Sequence, residues 1–229
     1  MELKDQVAIV TGSSKGIGLA TAKALLSKGV KVAGWSRSET KIDHSNLKFY
    51  KTDVGDQDSV EAAFKNTKSD FGPVAILINN AGLGFPGNLA DLPVEEWHTM
   101  FNINVHGIFY CSRLVIPEMK QLGFGHIINI SSIAGMTGVE GMSGYSATKF
   151  AVRGMSAALF KEVRNFGIKV SCIYPGSVNT NFFDAIDTVQ ANSNMMKPED
   201  IAGTILHFLE SDPNYLPVDI EVRPLKPKG

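Results

Sequence analysis

Hydrophobic residues fall along this chain in short runs separated by longer amphipathic stretches. The runs are VAIV at 7–10, KVAGW at 31–35, LKFYK at 47–51, VAILI at 74–78, HIINI at 126–130, KVSCIY at 169–174 and DIEV at 219–222. Several are apolar at consecutive positions, as strands buried on both faces of a parallel sheet are. Between them the apolar positions step by three and four. LATAKALLSKG closes on Gly29, placed as a C′ residue. Trp97, Phe101, Asn104, Ile108 and Val115 share one helical face across 94–119. From Ser146 onward Val152, Met155, Leu159, Val163 and Phe166 share another, until Gly167 stops it. Pro198 opens a last helix that runs to about Glu210. This alternation predicts right-handed crossovers and an α/β fold, a doubly wound parallel sheet of about seven strands with helices on both faces. One crossover, Ser36 to Asn46, is too short for a covering helix, so thin cover is expected there. With no repeat and no linker, a single domain over 1–229 is expected.

Composition narrows the partners more than the fold. The net charge of −1 favours neither nucleic acid nor an anionic membrane. No apolar run is long enough to span a bilayer, and MELKDQVAIV puts charges where a signal peptide needs an apolar run. The two cysteines, Cys111 and Cys172, are far apart, and the five histidines never adopt HxxxH spacing. A cytoplasmic protein without a metal site, working on a small molecule, is the expectation.

TGSSKGIG at 11–18 lies between the first strand and the first helix. Its spacing is G-x-x-x-G-x-G, a relative of the dinucleotide fingerprint. Gly12 allows a tight exit from the strand, Gly16 lets a phosphate approach the backbone, and Gly18 allows close helix–strand packing. The helix N-terminus adds free N–H groups and a positive dipole end. Gly12, Ser14, Lys15, Gly16, Ile17 and Gly18 are the expected phosphate contacts; a glycine-rich turn with no ligand is the alternative. At the end of the second strand an NAD site wants an acid for the ribose. Here Ser36 and then Arg37 stand at that point, and Lys15 lies in the glycine turn. Two cations suit a 2′-phosphate, so NADP(H) is expected in preference to NAD(H). Glu39 is the dissenting residue.

The other strand ends are polar: Asn79-Asn80-Ala81-Gly82, Ser131-Ser132 and Pro175-Gly176-Ser177. Each could be turn chemistry alone, but on one sheet edge they suggest a polar-lined cleft. Tyr145 and Lys149 begin the helix that follows Ser132, and a spacing of four places them on one face, about 6 Å apart along the axis. An ammonium that close is expected to lower the phenol pKa, readying Tyr145 to exchange a proton with a carbonyl or alcohol oxygen. Ser132 could bond the same oxygen. Asn104 is either a satisfied core amide or part of a water-bridged site.

Taken together, TGSSKGIG, NNAG, Asn104 in NVHG, Ser132 in NISSIAG, YSATK and PGSVNT resemble the short-chain dehydrogenase/reductase family, in its order and over nearly the whole chain. The resemblance implies a Rossmann-type fold and hydride transfer between a nicotinamide and a carbonyl or alcohol carbon. It implies that Asn104, Ser132, Tyr145 and Lys149 are catalytic. Tyr145 would be the acid/base, Lys149 would also bond the nicotinamide ribose, and Asn104 would hold a water leading to Lys149. Asp53 and Val54 would contact the adenine, and Asn80, Ala81 and Gly82 the adenosine side. Pro175, Gly176, Val178 and Thr180 would contact the nicotinamide end. It also implies a homodimer or homotetramer. An NAD-dependent alcohol dehydrogenase and a non-catalytic NADP(H) sensor are the competing functions. Residues 177–197 are expected to form a substrate lid with Phe182, Phe183, Met195 and Met196 beneath it. With Phe85, Met136 and Met142 they suggest a hydrophobic carbonyl compound.

Overall fold

The computed structural model describes residues 2–180, 192 and 194–226. Its centre is a seven-stranded, all-parallel sheet in the order β3-β2-β1-β4-β5-β6-β7. The strands are β1 Val7–Thr11, β2 Lys31–Ser36, β3 Leu47–Lys51, β4 Ile76–Asn79, β5 Gly125–Ile130, β6 Ile168–Pro175 and β7 Asp219–Val222. Continuous apolar runs form the inner strands because both sheet faces are covered. In β1, Ala8 and Val10 pack to one side and Val7 and Ile9 to the other. β4 repeats this with Ile76 and Ile78 against Leu77. The edge strands β3 and β7 are only partly buried, which their Lys48, Lys51, Asp219 and Glu221 require.

Helices α1 (Gly16–Ser27) and α6 (Pro198–Glu210) cover the first side, through Leu25, Leu26, Ile205 and Phe208. Helices α2 (Gln57–Phe71), α4 (Gly107–Leu122) and α5 (Ser143–Val163) cover the second, through Val60, Val115, Met119 and Val163. Gly29 ends α1 at φ +75, where a residue with a Cβ would be strained. The crossover from Ser36 to Asn46 contains no helix.

The stretch at 94–119 departs from the single helix its periodicity predicts. It divides into α3 (Val94–Phe101), a π-helical turn at Asn102–His106, and α4. Gly107 N–H donates to Asn102 O, one residue further back than an α-helix allows. A π turn inserts a residue into the hydrogen-bond ladder and is often found at functional sites. Here it is centred on buried Asn104.

Candidate active site

The sheet order reverses between β1 and β4, whose first turns leave in opposite directions and open a crevice at the carboxyl ends of the strands. The crevice is about 980 Å³. At its centre the NNAG turn is bound to the glycine-rich turn. Thr11 Oγ1 accepts from Asn80 N at 2.9 Å and Ala81 N at 3.0 Å, and Asn80 Nδ2 donates to Thr11 O at 2.9 Å. Gly12 takes φ +65 and sits so close that a Cβ would lie 2.9 Å from Asn80 Nδ2. At Gly18 a Cβ would stand 2.2 Å from Gly12 O, so this glycine permits the α1–β1 packing.

Helix α1 starts with no side-chain cap and no acid in its first turn. Its first N–H groups and dipole are therefore open to an anion. Lys15 and Arg37, both exposed, line the crevice beside it. Glu39 does not line it. Ser36 is buried and its hydroxyl donates to Ser38 O at 2.6 Å. Asp53 turns back on itself, Gly55 N donating to its Oδ1 at 2.9 Å, and Val54 lies against Gly107.

At the other end Tyr145 and Lys149 are almost wholly buried. Ser132 follows β5, accepts from Ala134 N at 3.1 Å, and hydrogen-bonds the Tyr145 phenol. Lys149 Nζ lies 5.6 Å from the Tyr145 ring centroid and donates to Ile130 O at 3.0 Å. One of its three protons is spent there, which leaves donors for a ligand. The expected lowering of the phenol pKa is not what the pocket does. Burial pushes Tyr145 up to about 12, against the smaller opposing effect of the Ser132 hydrogen bond. Burial also pushes Lys149 down to about 8, opposed by the nearby Cys172. Desolvation disfavours both charged forms, and spacing along a helix carries no information about it.

The structure gathers Gly12, Ser14, Lys15, Gly16, Ile17, Ser36, Arg37, Asp53, Val54, Asn80, Ala81, Gly82, Ser132, Tyr145, Lys149, Pro175, Gly176, Val178 and Thr180 around one crevice. Gly18 and Asn104 do not line it. Asn104 is the satisfied amide: Leu83 N donates to its Oδ1 at 2.9 Å, and its Nδ2 donates to Leu83 O at 2.8 Å and Thr148 Oγ1 at 3.0 Å. Thr148 in turn donates to Tyr145 O at 2.7 Å, so Asn104 braces the first turn of α5 from behind.

The sequence did not single out Thr11 or, apart from Phe85 and Met142, the two arms that wall the crevice beyond Tyr145. These arms, at 83–88 and 139–142, are joined by Gly87 N donating to Gly141 O at 2.7 Å. Beyond those two apolar residues, their glycines and Pro86 do not distinguish them from ordinary loops. Phe85 and Met142 line the crevice and Met136 does not. Phe182, Phe183 and most of the expected lid lie outside the described residues. Its two ends do pair, Asn179 N donating to Met196 O at 2.8 Å and Met196 N to Ser177 O at 3.1 Å. Among the described residues no three His, Cys, Asp or Glu gather as a metal set, and no helix is long and apolar enough to cross a membrane.

Comparison with known proteins agrees with this architecture. A family model described as short chain dehydrogenase matches residues 6–191. An uncharacterized oxidoreductase of Staphylococcus aureus (strain USA300) is 35% identical over 231 residues, covering 97% of this chain and 99% of its own. One from Staphylococcus saprophyticus is 34% identical, covering 98% and 100%. Among solved structures, 3-ketoacyl-(acyl-carrier-protein) reductase from Brucella melitensis, complexed with NADH, superposes with TM-score 0.90 at 26% identity, over 99% and 100% of the two chains. Alcohol dehydrogenase from Thermococcus sibiricus, complexed with 5-hydroxy-NADP, gives 0.87 at 26% identity over 98% of each. The closed form of serine dehydrogenase complexed with NADP+ gives 0.87 at 28% identity, over 95% and 94%. With the crevice, the glycine turn and these matches in agreement from end to end, the chain belongs to the short-chain dehydrogenase/reductase family and is an oxidoreductase whose crevice fits a nicotinamide cofactor.

Proposed function

We propose that the protein is an NADP(H)-dependent carbonyl reductase in which Tyr145 is the general acid. The observation that carries this is a buried Tyr145, hydrogen-bonded to Ser132 and with Lys149 beside it, in one crevice with Lys15 and Arg37. The cofactor, when bound, supplies a hydride to the carbonyl carbon. The glycine turn and the α1 N-terminus hold its phosphates, Lys15 and Arg37 hold the 2′-phosphate, and Lys149 bonds the ribose. Ser132 orients the substrate oxygen towards the Tyr145 hydroxyl. A phenol held near 12 stays protonated at neutral pH, so it is ready to donate to an alkoxide as that charge forms. The Lys149 ammonium, charged below about 8, then stabilises the phenolate left behind. Asn104 keeps Tyr145 in place through Thr148.

Phe85, Leu83 and Met142 give the substrate end an apolar wall, which supports a hydrophobic ketone or aldehyde. Half-exposed Phe109 on α4 and Phe150 on α5 support a homo-oligomer, which sedimentation would test. Tyr145→Phe should lower kcat on a panel of ketones and aldehydes about 10³-fold. Its NADPH affinity should stay within about twofold of wild type, because the phenol contributes to the proton transfer rather than to cofactor binding. Unchanged turnover would remove Tyr145 from the mechanism.

A further inference from the structure

The helix-free crossover after β2 is exposed at Arg37, Ser38, Glu39, Lys41 and Asp43, yet Thr40 in its midst is only 4% exposed. Its Oγ1 lies 2.6 Å from the Oγ of Ser13, a buried residue of the glycine-rich turn. Ser13 Oγ lies 3.4 Å from Ser36 Oγ, and Ser36 donates to Ser38 O at 2.6 Å. Each hydroxyl has one proton to give. With that of Ser36 committed to Ser38, Ser13 donates to Ser36, and Thr40 donates to Ser13. The chain is directed from the crossover to the glycine turn, on to the end of β2, and back to the crossover. Its long Ser13–Ser36 link is the weakest. Gly34 makes room for it: a Cβ there would stand 2.9 Å from both Ser13 Oγ and Thr40 Oγ1.

Arg37 lies between the two residues that this chain pins, Ser36 and Ser38, and Lys15 follows Ser13 by two residues. We propose that Thr40 is a positioning and specificity-determining residue. Its hydroxyl latches the crossover onto the glycine-rich turn and so holds Arg37 and Lys15 at the spacing that recognises a 2′-phosphate. The latch rests on the NADP(H) reading above. Holding a helix-free loop in place before the ligand arrives lowers the entropy lost on binding.

Titration of the protein with 2′,5′-ADP and with 5′-AMP tests it directly, because the two ligands differ by the one phosphate. Wild type should bind 2′,5′-ADP more tightly. Thr40→Val, which keeps the shape and removes the hydroxyl, should weaken 2′,5′-ADP about tenfold and change 5′-AMP less than about twofold. Thr40→Ser should restore the wild-type ratio. Ser13→Ala breaks the same link from the other side and carries the test if Thr40→Val does not fold. A residue with only a structural role would lower the melting temperature and leave the ratio alone. A wild-type ratio in Thr40→Val or Ser13→Ala therefore overturns the latch while leaving the NADP(H) reading in place. Equal binding of both ligands by wild type, with Arg37→Ala silent, overturns that reading and the latch with it.

Discussion

The crevice carries cations at both ends, in opposite surroundings. Lys149 is 5% exposed, bonded to Ile130 O and pushed down to about 8 by burial. Lys15 and Arg37 are exposed on the rim. A buried charge acts through a low local dielectric, is screened little by salt, and is lost near neutrality because burial penalises it. Exposed charges act through water and are screened by salt. On the function proposed above, the cations do two kinds of work: transition-state stabilisation at Tyr145, and ligand choice at the far rim.

The comparison breaks first at Lys149. Lys149→Met keeps the length of the side chain and removes the charge, so the phenolate formed as Tyr145 gives up its proton loses its neighbouring cation. Turnover should fall by about 10²–10³, with the melting temperature unchanged or raised, because a penalised buried charge is gone. In the wild type the same loss should come with pH. The pKa of Lys149 is depressed, so its cation is present below about 8 and is lost as pH rises through that value. The kcat/KM for NADPH, which reports the enzyme before the cofactor binds, should then decline about tenfold per pH unit above it. A flat profile from pH 7 to pH 10 would show that Lys149 stays charged, or that its charge does not matter.

Arg37→Ala probes the other end, with a smaller effect confined to binding. KM for NADPH should rise about tenfold, the scale of one lost charge-assisted contact, while kcat and the KM for NADH stay within about twofold. A drop in kcat with no change in KM would mean that the two ends are not divided as their burial implies.

What the sequence made legible follows the same division between local and collective properties. Strands such as VAILI and HIINI are readable because burial on both faces forces continuous apolar residues. The bounds of α6 are readable because Pro198 and the run to Glu210 are local signals. The π turn at Asn102–His106 is not, since Phe101, Asn104 and Ile108 keep helical spacing while the ladder gains a residue. Helix α2 is hard to read as well, although Asp56 caps it, accepting from Asp58 N and Ser59 N, because its polar face blurs the period. At the site, Tyr145, Lys149 and the glycine turn are recognisable by spacing. Thr11 and Thr40 are not, because their hydroxyls matter only once distant segments meet, 69 residues apart for Thr11 and Asn80 and 27 for Ser13 and Thr40. The direction of the Tyr145 shift is hidden for the same reason: spacing shows the neighbouring ammonium, and only packing shows the burial that outweighs it.

The gentlest probe of the comparison is salt. The Debye length shortens from about 10 Å at 0.1 M ionic strength to about 3 Å at 1 M. Attraction between a 2′-phosphate and the exposed Lys15 and Arg37 should weaken accordingly, raising the KM for NADPH about threefold between 0.05 and 0.5 M salt. NADH lacks that phosphate and should respond less. Tyr145 and Lys149 are almost wholly buried and so screened far less, and kcat at saturating NADPH should hold steady over the same range. If kcat fell with salt while both KM values stayed level, the screened charges would be those at the proton-transfer end, and the assignment of the two cation sites would have to be exchanged.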